Sequence, residues 1–159
     1  MIERVKLFEE FNEGFITLFR GQSGSFFDEK TETGYFKVYK MFYLTPYIDS
    51  AYFYTSPHRS HKKREISVFR VPNNIARVYG VYIDRLGIDK INALKEEGYS
   101  GVTSNIGELD PDIGEIGMFN LYSPVHRFQT ETGKFSDSDL HRFLELGLSK
   151  YEFNLEKSL

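Results

Sequence analysis

Two charged side chains stand at the ends of apolar, aromatic stretches: Arg20 directly after Phe15-Ile16-Thr17-Leu18-Phe19, and Glu115 directly before Ile116-Gly117-Met118-Phe119. A charge in such a place is costly to bury unless it is paired or used. Gly21 follows Arg20 and allows close backbone approach, which suits a planar guanidinium donating two hydrogen bonds to a phosphate or a ribose. Glu115 leaves a loop that contains Glu108, Asp110 and Asp112. A carboxylate there accepts hydrogen bonds from sugar hydroxyls and stabilises positive charge developing at an anomeric carbon. Each residue also has an ordinary reading, Arg20 as a partner for Glu10 or Glu13 and Glu115 as an edge carboxylate.

Between them, Tyr43-Leu44-Thr45-Pro46 reads as an aromatic strand ending in a hydroxyl residue, and Ile48 to Tyr54 as a helix carrying Ala51 and Tyr54. Taken in order, Phe19-Arg20-Gly21, Thr45 with Ala51 and Tyr54, Glu97-Gly98-Tyr99-Ser100-Gly101-Val102 and Glu115-Ile116-Gly117-Met118-Phe119-Asn120 resemble the signatures of the ADP-ribosyltransferase superfamily, in its arginine-containing (R-S-E) branch. The matches span residues 15 to 120. The resemblance implies an α+β fold, a compact split antiparallel β-sandwich with peripheral helices, formed by residues 1–159 as a single domain. It implies NAD in the cleft between the sheets, with Arg20 on a phosphate or ribose beside Gly21, Thr45 organising the nicotinamide side, and Tyr43 and Tyr54 framing the ring. Glu115 then binds the ribose hydroxyl and supports loosening of the glycosidic bond. The implied activity is a toxin-like transfer of ADP-ribose to a macromolecular acceptor, foremost a protein, with hydrolysis as a side reaction.

The chain departs from the family pattern at Leu44 and Pro46, where hydroxyl residues are usual, and at Ile113, where arginine-modifying members carry Glu or Gln. These departures support an alternative, a catalytically inactive interaction module of the same fold, such as a phage or bacterial accessory factor. A nucleic-acid module rests only on the basic run containing Arg59, Lys62, Lys63 and Arg64 and on the many aromatics. That run also reads as a solvated loop, or as steering for NAD phosphates.

Composition narrows the field. Twenty basic against 23 acidic side chains give a net charge of −3, which excludes polycation-type nucleic-acid binding. With no cysteine there is no thiolate ligand, disulfide or cysteine nucleophile. His58, His61, His126 and His141 lack a recognised metal spacing. No Rossmann or Walker glycine loop and no nucleophile elbow is present. The acidic N-terminal segment does not read as a signal peptide and no stretch reads as a membrane span, so a cytoplasmic setting is expected.

Hydrophobic periodicity predicts the elements that must position these groups. It gives an amphipathic helix over 3–13, a strand over 15–19, a polar loop or short irregular helix over 22–34, a strand over 35–44 and a helix over 48–54. A hairpin of strands 65–71 and 75–83 follows, then a helix over 88–97, a strand from 99 to 103 and a strand over 115–121. After a polar loop comes a helix from 138 to 148, with Phe135, Ser136 and Asp139 as staple and capping box.

Overall fold

The computed structural model describes residues 3–4, 14–55, 61–106 and 115–158. Its described elements make an α+β protein with two sheets and five α-helices. The chain divides into two compact units, one of Met1–Leu18, Glu29–Pro46 and Arg70–Ser123, the other of Phe19–Asp28, Tyr47–Phe69 and Pro124–Leu159.

The first unit holds a five-stranded sheet in the order β1-β5-β6-β7-β3, from β1 (Glu3–Arg4), β3 (Phe42–Leu44), β5 (Ile75–Val78), β6 (Gly101–Ser104) and β7 (Ile116–Met118). The expected hairpin between strands 65–71 and 75–83 does not form. Instead β5 joins this sheet and pairs in parallel with β6, Ile75 opposite Gly101 and Val78 opposite Ser104. A parallel pair needs a crossover, and helix α3 (Ile88–Glu96) provides it, burying Ile91 and Leu94. The turn at Asn73 is tied down elsewhere, its backbone N–H donating to the Gly14 carbonyl at 3.0 Å. Beyond Val78 the expected strand gives way to a 3-10 turn at Ile83–Arg85. Ala76, Val78, Ile83, Ile91, Leu94, Val102, Met41 and Phe119 form this unit's core.

Residues 35–39 correct a second expectation, because the strand predicted there is the second half of helix α1 (Glu29–Tyr39), which begins in the segment read as loop or short irregular helix. Glu29 and Glu32 lie in its first turn and Lys37 in its last, matching the helix dipole. Tyr35, Val38 and Tyr39 suggest a strand only when a sheet buries them, and here all three are exposed. Lys40 then takes a left-handed φ of 65° and ends the helix ahead of β3. At the N-terminus, Glu3–Arg4 is strand β1, paired with Arg77 and Ala76 of β5, rather than the start of a helix; residues 5–13 of that expected helix lie outside the described residues.

The second sheet has the order β2-β4-β8, from β2 (Phe15–Ser23), β4 (Arg64–Pro72) and β8 (His126–Thr130). Within the second unit one face of it carries Phe19, Ile66, Val68 and Phe128 into a core shared with α2 (Ile48–Tyr54), α4 (Asp137–Glu145) and the segment after α4. Ser136 Oγ caps α4 by accepting from the Asp139 N–H at 3.1 Å, as the sequence predicts. Gly147, at φ 108°, turns the chain into α5 (Lys150–Ser158). From α5 Glu156 is buried against Arg64, and the pair is enclosed by hydrogen bonds from Tyr52 and the Phe135 N–H.

Candidate functional site

In the first unit the sheet register gathers three of the predicted residues. Strands β3 and β7 pair antiparallel, with Tyr43 opposite Gly117 and Leu44 opposite Ile116. The ladder ends at that last pair, and Thr45 and Glu115 are the residues that flank it, one just after β3 and one just before β7. Thr45 is buried, Glu115 is exposed, and the Glu115 carbonyl accepts from Thr103 Oγ1 at 3.1 Å. Tyr43 is half-buried against the core of this unit. Burial pushes its phenol up to about 12, reinforced by the negative charges of Glu115 and Asp84 and by Tyr39. Glu115 therefore lies within electrostatic reach of Tyr43, at the end of β3 and β7 that Thr45 also flanks. Asp84, on the 3-10 turn, is a neighbour that the sequence reading did not single out.

Close packing also fixes the narrow waist of β3 and β7. A Cβ on Gly117 would lie 2.6 Å from Met41 Sδ, and one on Gly101 would lie 2.9 Å from the Gly117 carbonyl oxygen.

The second unit gathers Arg20, Gly21 and Tyr54. Strand β2 runs through Arg20-Gly21 rather than ending before it, so Arg20 is a half-buried strand residue. A Cβ on Gly21 would sit 1.7 Å from the Ala51 carbonyl oxygen of α2, so only glycine fits there. This contact joins the Arg-Gly segment to the helix that carries Ala51 and Tyr54. Ala51 is buried at the contact, whereas Tyr54 is exposed with its ring against Phe53. The aromatic of α2 that enters the core is Tyr52, whose phenol is raised by burial and by its hydrogen bond to Glu156.

The other face of the second sheet is polar where Arg20, Gln22, Glu65 and Ser67 lie, and sequence reasoning missed most of that patch. Glu65, with a relative exposure of 0%, accepts from Ser67 Oγ, Arg127 Nε (3.1 Å) and Nη2 (2.9 Å), Gln129 Nε2 (2.7 Å) and the Phe27 N–H (3.2 Å). Arg127 Nη2 also donates to the Phe27 carbonyl at 2.7 Å, so the ion pair clamps both backbone groups of that residue. Burial alone would raise the Glu65 carboxyl; the bonds from Arg127, Ser67 and Gln129 outweigh it and hold the group below its ordinary value. The sequence carried little signal for β8, because Phe128 is the one apolar residue in His126-Arg127-Phe128-Gln129-Thr130 and no alternation marks it as a strand.

The basic run is corrected at Arg64, which is buried rather than solvated. Its guanidinium donates to Thr55 Oγ1, the Gly133 carbonyl and Glu156, and faces the rings of Tyr52 and Phe135. Lys62 and Lys63 are exposed, while Arg59 and His58 lie outside the described residues, as do Glu108, Asp110, Asp112 and Ile113. Among the described residues no group of three or more His, Asp or Glu could hold a metal ion, and no helix is long and apolar enough to cross a membrane.

Comparison with protein-family models, curated proteins and solved structures gives no match.

Proposed function

We propose that this protein binds NAD and transfers its ADP-ribose to a macromolecular acceptor, most directly a protein, as an ADP-ribosyltransferase-like domain. The observation that carries the reading is the β3/β7 register, whose last pair, Leu44 and Ile116, is flanked by Thr45 and Glu115, with Tyr43 one residue inside it on β3. In the proposed reaction the bond between ribose C1′ and the nicotinamide nitrogen breaks, its electron pair leaves with nicotinamide, an acceptor lone pair forms the new bond to C1′, and the acceptor's proton is released to solvent. Glu115 holds a ribose hydroxyl and its negative charge stabilises the positive charge that builds on the sugar. Thr45 organises the nicotinamide side, Tyr43 offers a neutral ring face, and Arg20 beside Gly21 holds a phosphate or ribose, with Tyr54 a further ring contact. Water in place of the acceptor yields free ADP-ribose.

A specific observation favours a second reading, an interaction module of the same fold without turnover. Tyr35, Val38 and Tyr39 are exposed together on α1, a surface suited to a protein contact. The two readings separate by calorimetric titration with NAD. Saturable binding that Arg20→Ala weakens at least tenfold supports the enzyme reading, and no heat from either protein favours the interaction module.

A further inference from the structure

The polar face of the β2-β4-β8 sheet contains one acceptor that its surroundings leave unused. The Gly24 N–H donates to the Lys63 carbonyl at 2.9 Å, and Arg70 Nη1 reaches Thr17 Oγ1 at 3.4 Å, so β2 and β4 run antiparallel. Counting along from Gly24 and Lys63 places Gln22 opposite Glu65 and Arg20 opposite Ser67. On the far side of β4, Glu65 pairs with Gln129 and Ser67 with Arg127. The face is therefore a small grid, with Arg20, Ser67 and Arg127 in one row and Gln22, Glu65 and Gln129 in the next.

Donors on this grid converge on Glu65, which accepts from Ser67, Arg127, Gln129 and the Phe27 backbone. Gln22 receives nothing comparable. Its Oε1 is shut off from solvent and has no hydrogen-bond partner among the described residues. A buried amide oxygen without a donor opposes folding, and an aliphatic residue would avoid that cost. The orphaned atom sits two residues from Arg20 on the same strand face, about 7 Å along the strand. The residue as a whole is only half-buried, so its side chain borders the surface of this sheet face.

We infer that Gln22 is a ligand-contacting residue, whose Oε1 accepts a hydrogen bond from an N–H or O–H of the ligand that Arg20 holds. The inference rests on the NAD reading above and adds a polar selector to it. A dinucleotide carries three such donors: the carboxamide of nicotinamide, the exocyclic amine of adenine and the ribose hydroxyls. An acceptor that is satisfied only when a donor arrives discriminates against analogues lacking that donor.

The test uses the full chain and its Gln22→Leu, Gln22→Met and Arg20→Ala variants, titrated calorimetrically with NAD, with the dinucleotide bearing acetylpyridine in place of nicotinamide, and with the dinucleotide bearing hypoxanthine in place of adenine. Both Gln22 variants are expected to bind NAD about tenfold more weakly, about 1.4 kcal/mol, with a Tm at or above that of the parent. A purely structural role would lower Tm instead. Loss of the Gln22 effect with the acetylpyridine analogue assigns the donor to the carboxamide, and loss with the hypoxanthine analogue assigns it to adenine. Persistence with both assigns it to a ribose hydroxyl. If Arg20→Ala weakens NAD binding and neither Gln22 variant does, the inference is overturned and the NAD reading stands. If the parent chain does not bind NAD, both fall.

Discussion

Gly21 of β2 meets the carbonyl oxygen of Ala51 in α2 so closely that a methyl group on Gly21 would lie 1.7 Å from it. The partner atom is backbone, so no side chain can turn away and relieve the clash. The contact fixes how the Arg-Gly segment lies on the helix that carries Tyr54.

Gly21→Ala is therefore expected to force β2 and α2 apart, at a cost at or above the ~1–3 kcal/mol typical of overpacking. Differential scanning calorimetry should show a fall in Tm of several degrees, on the scale of about 2–4 °C per kcal/mol for a chain of this size. An unchanged Tm would mean that the contact is looser than described.

Replacing Glu115 with Gln should lower the Tyr43 pKa from about 12, because one of the negative charges that oppose phenolate formation is removed. Burial, the larger cause, remains, so the phenol stays above its ordinary value of about 10. With a raised pKa, the neutral phenol's contribution to stability is complete below the ordinary value and is lost as pH rises through about 12. Ultraviolet titration of the phenolates, with Tyr43→Phe as the reference, reads the shift. A Tyr43 titration indifferent to Glu115 would separate the two residues.

The clamp on Phe27 predicts the acid behaviour. Glu65 is held below its ordinary pKa, so its stabilising contribution is complete above about 4.3 and is lost as pH falls through the lowered native value. Arg127→Ala removes two of its donors and should move the acid limb of the stability curve to higher pH, measured by urea midpoints across the acid range. Coincident acid limbs for parent and variant would contradict the assignment.

Glu156 tests the C-terminal helix. With both partners at a relative exposure of 1%, Glu156→Ala leaves the Arg64 charge buried and uncompensated, for a loss of about 3–5 kcal/mol. Replacing both partners, Arg64→Met with Glu156→Leu, should recover most of that loss. A single variant as stable as the parent in urea would show that α5 is not anchored through this pair.

What was legible in the sequence follows the physics of each segment. Helices α2 and α3 were readable because burial follows their own period, as with Ile48, Ala51 and Tyr52 in α2 and Ile91 and Leu94 in α3. Strands β2 and β4 were readable from their aromatic and β-branched residues, β4 being buried on both faces. The α1 error came from Tyr35, Val38 and Tyr39, whose strand-like character has meaning only under burial that they do not receive. The missing hairpin came from Ile75–Val78, which pairs with a strand more than twenty residues downstream, a long-range choice that local pattern does not encode. At the site, Thr45 and Glu115 flank the last β3/β7 pair, Leu44 with Ile116, a placement that depends on long-range pairing and not on local pattern. Gln22 and Arg127 escaped notice because their polar segments read as loops, whereas they belong to β2 and β8 on a sheet face lined with hydrogen bonds.

The most direct test of the central claim is release of nicotinamide from NAD by the purified chain, with and without protein acceptors, beside Glu115→Gln. The account predicts measurable release by the parent and a drop of at least a hundredfold in turnover for the variant, with NAD affinity and Tm preserved. Equal turnover by parent and folded variant would contradict the role given to Glu115, and with it the proposed reaction.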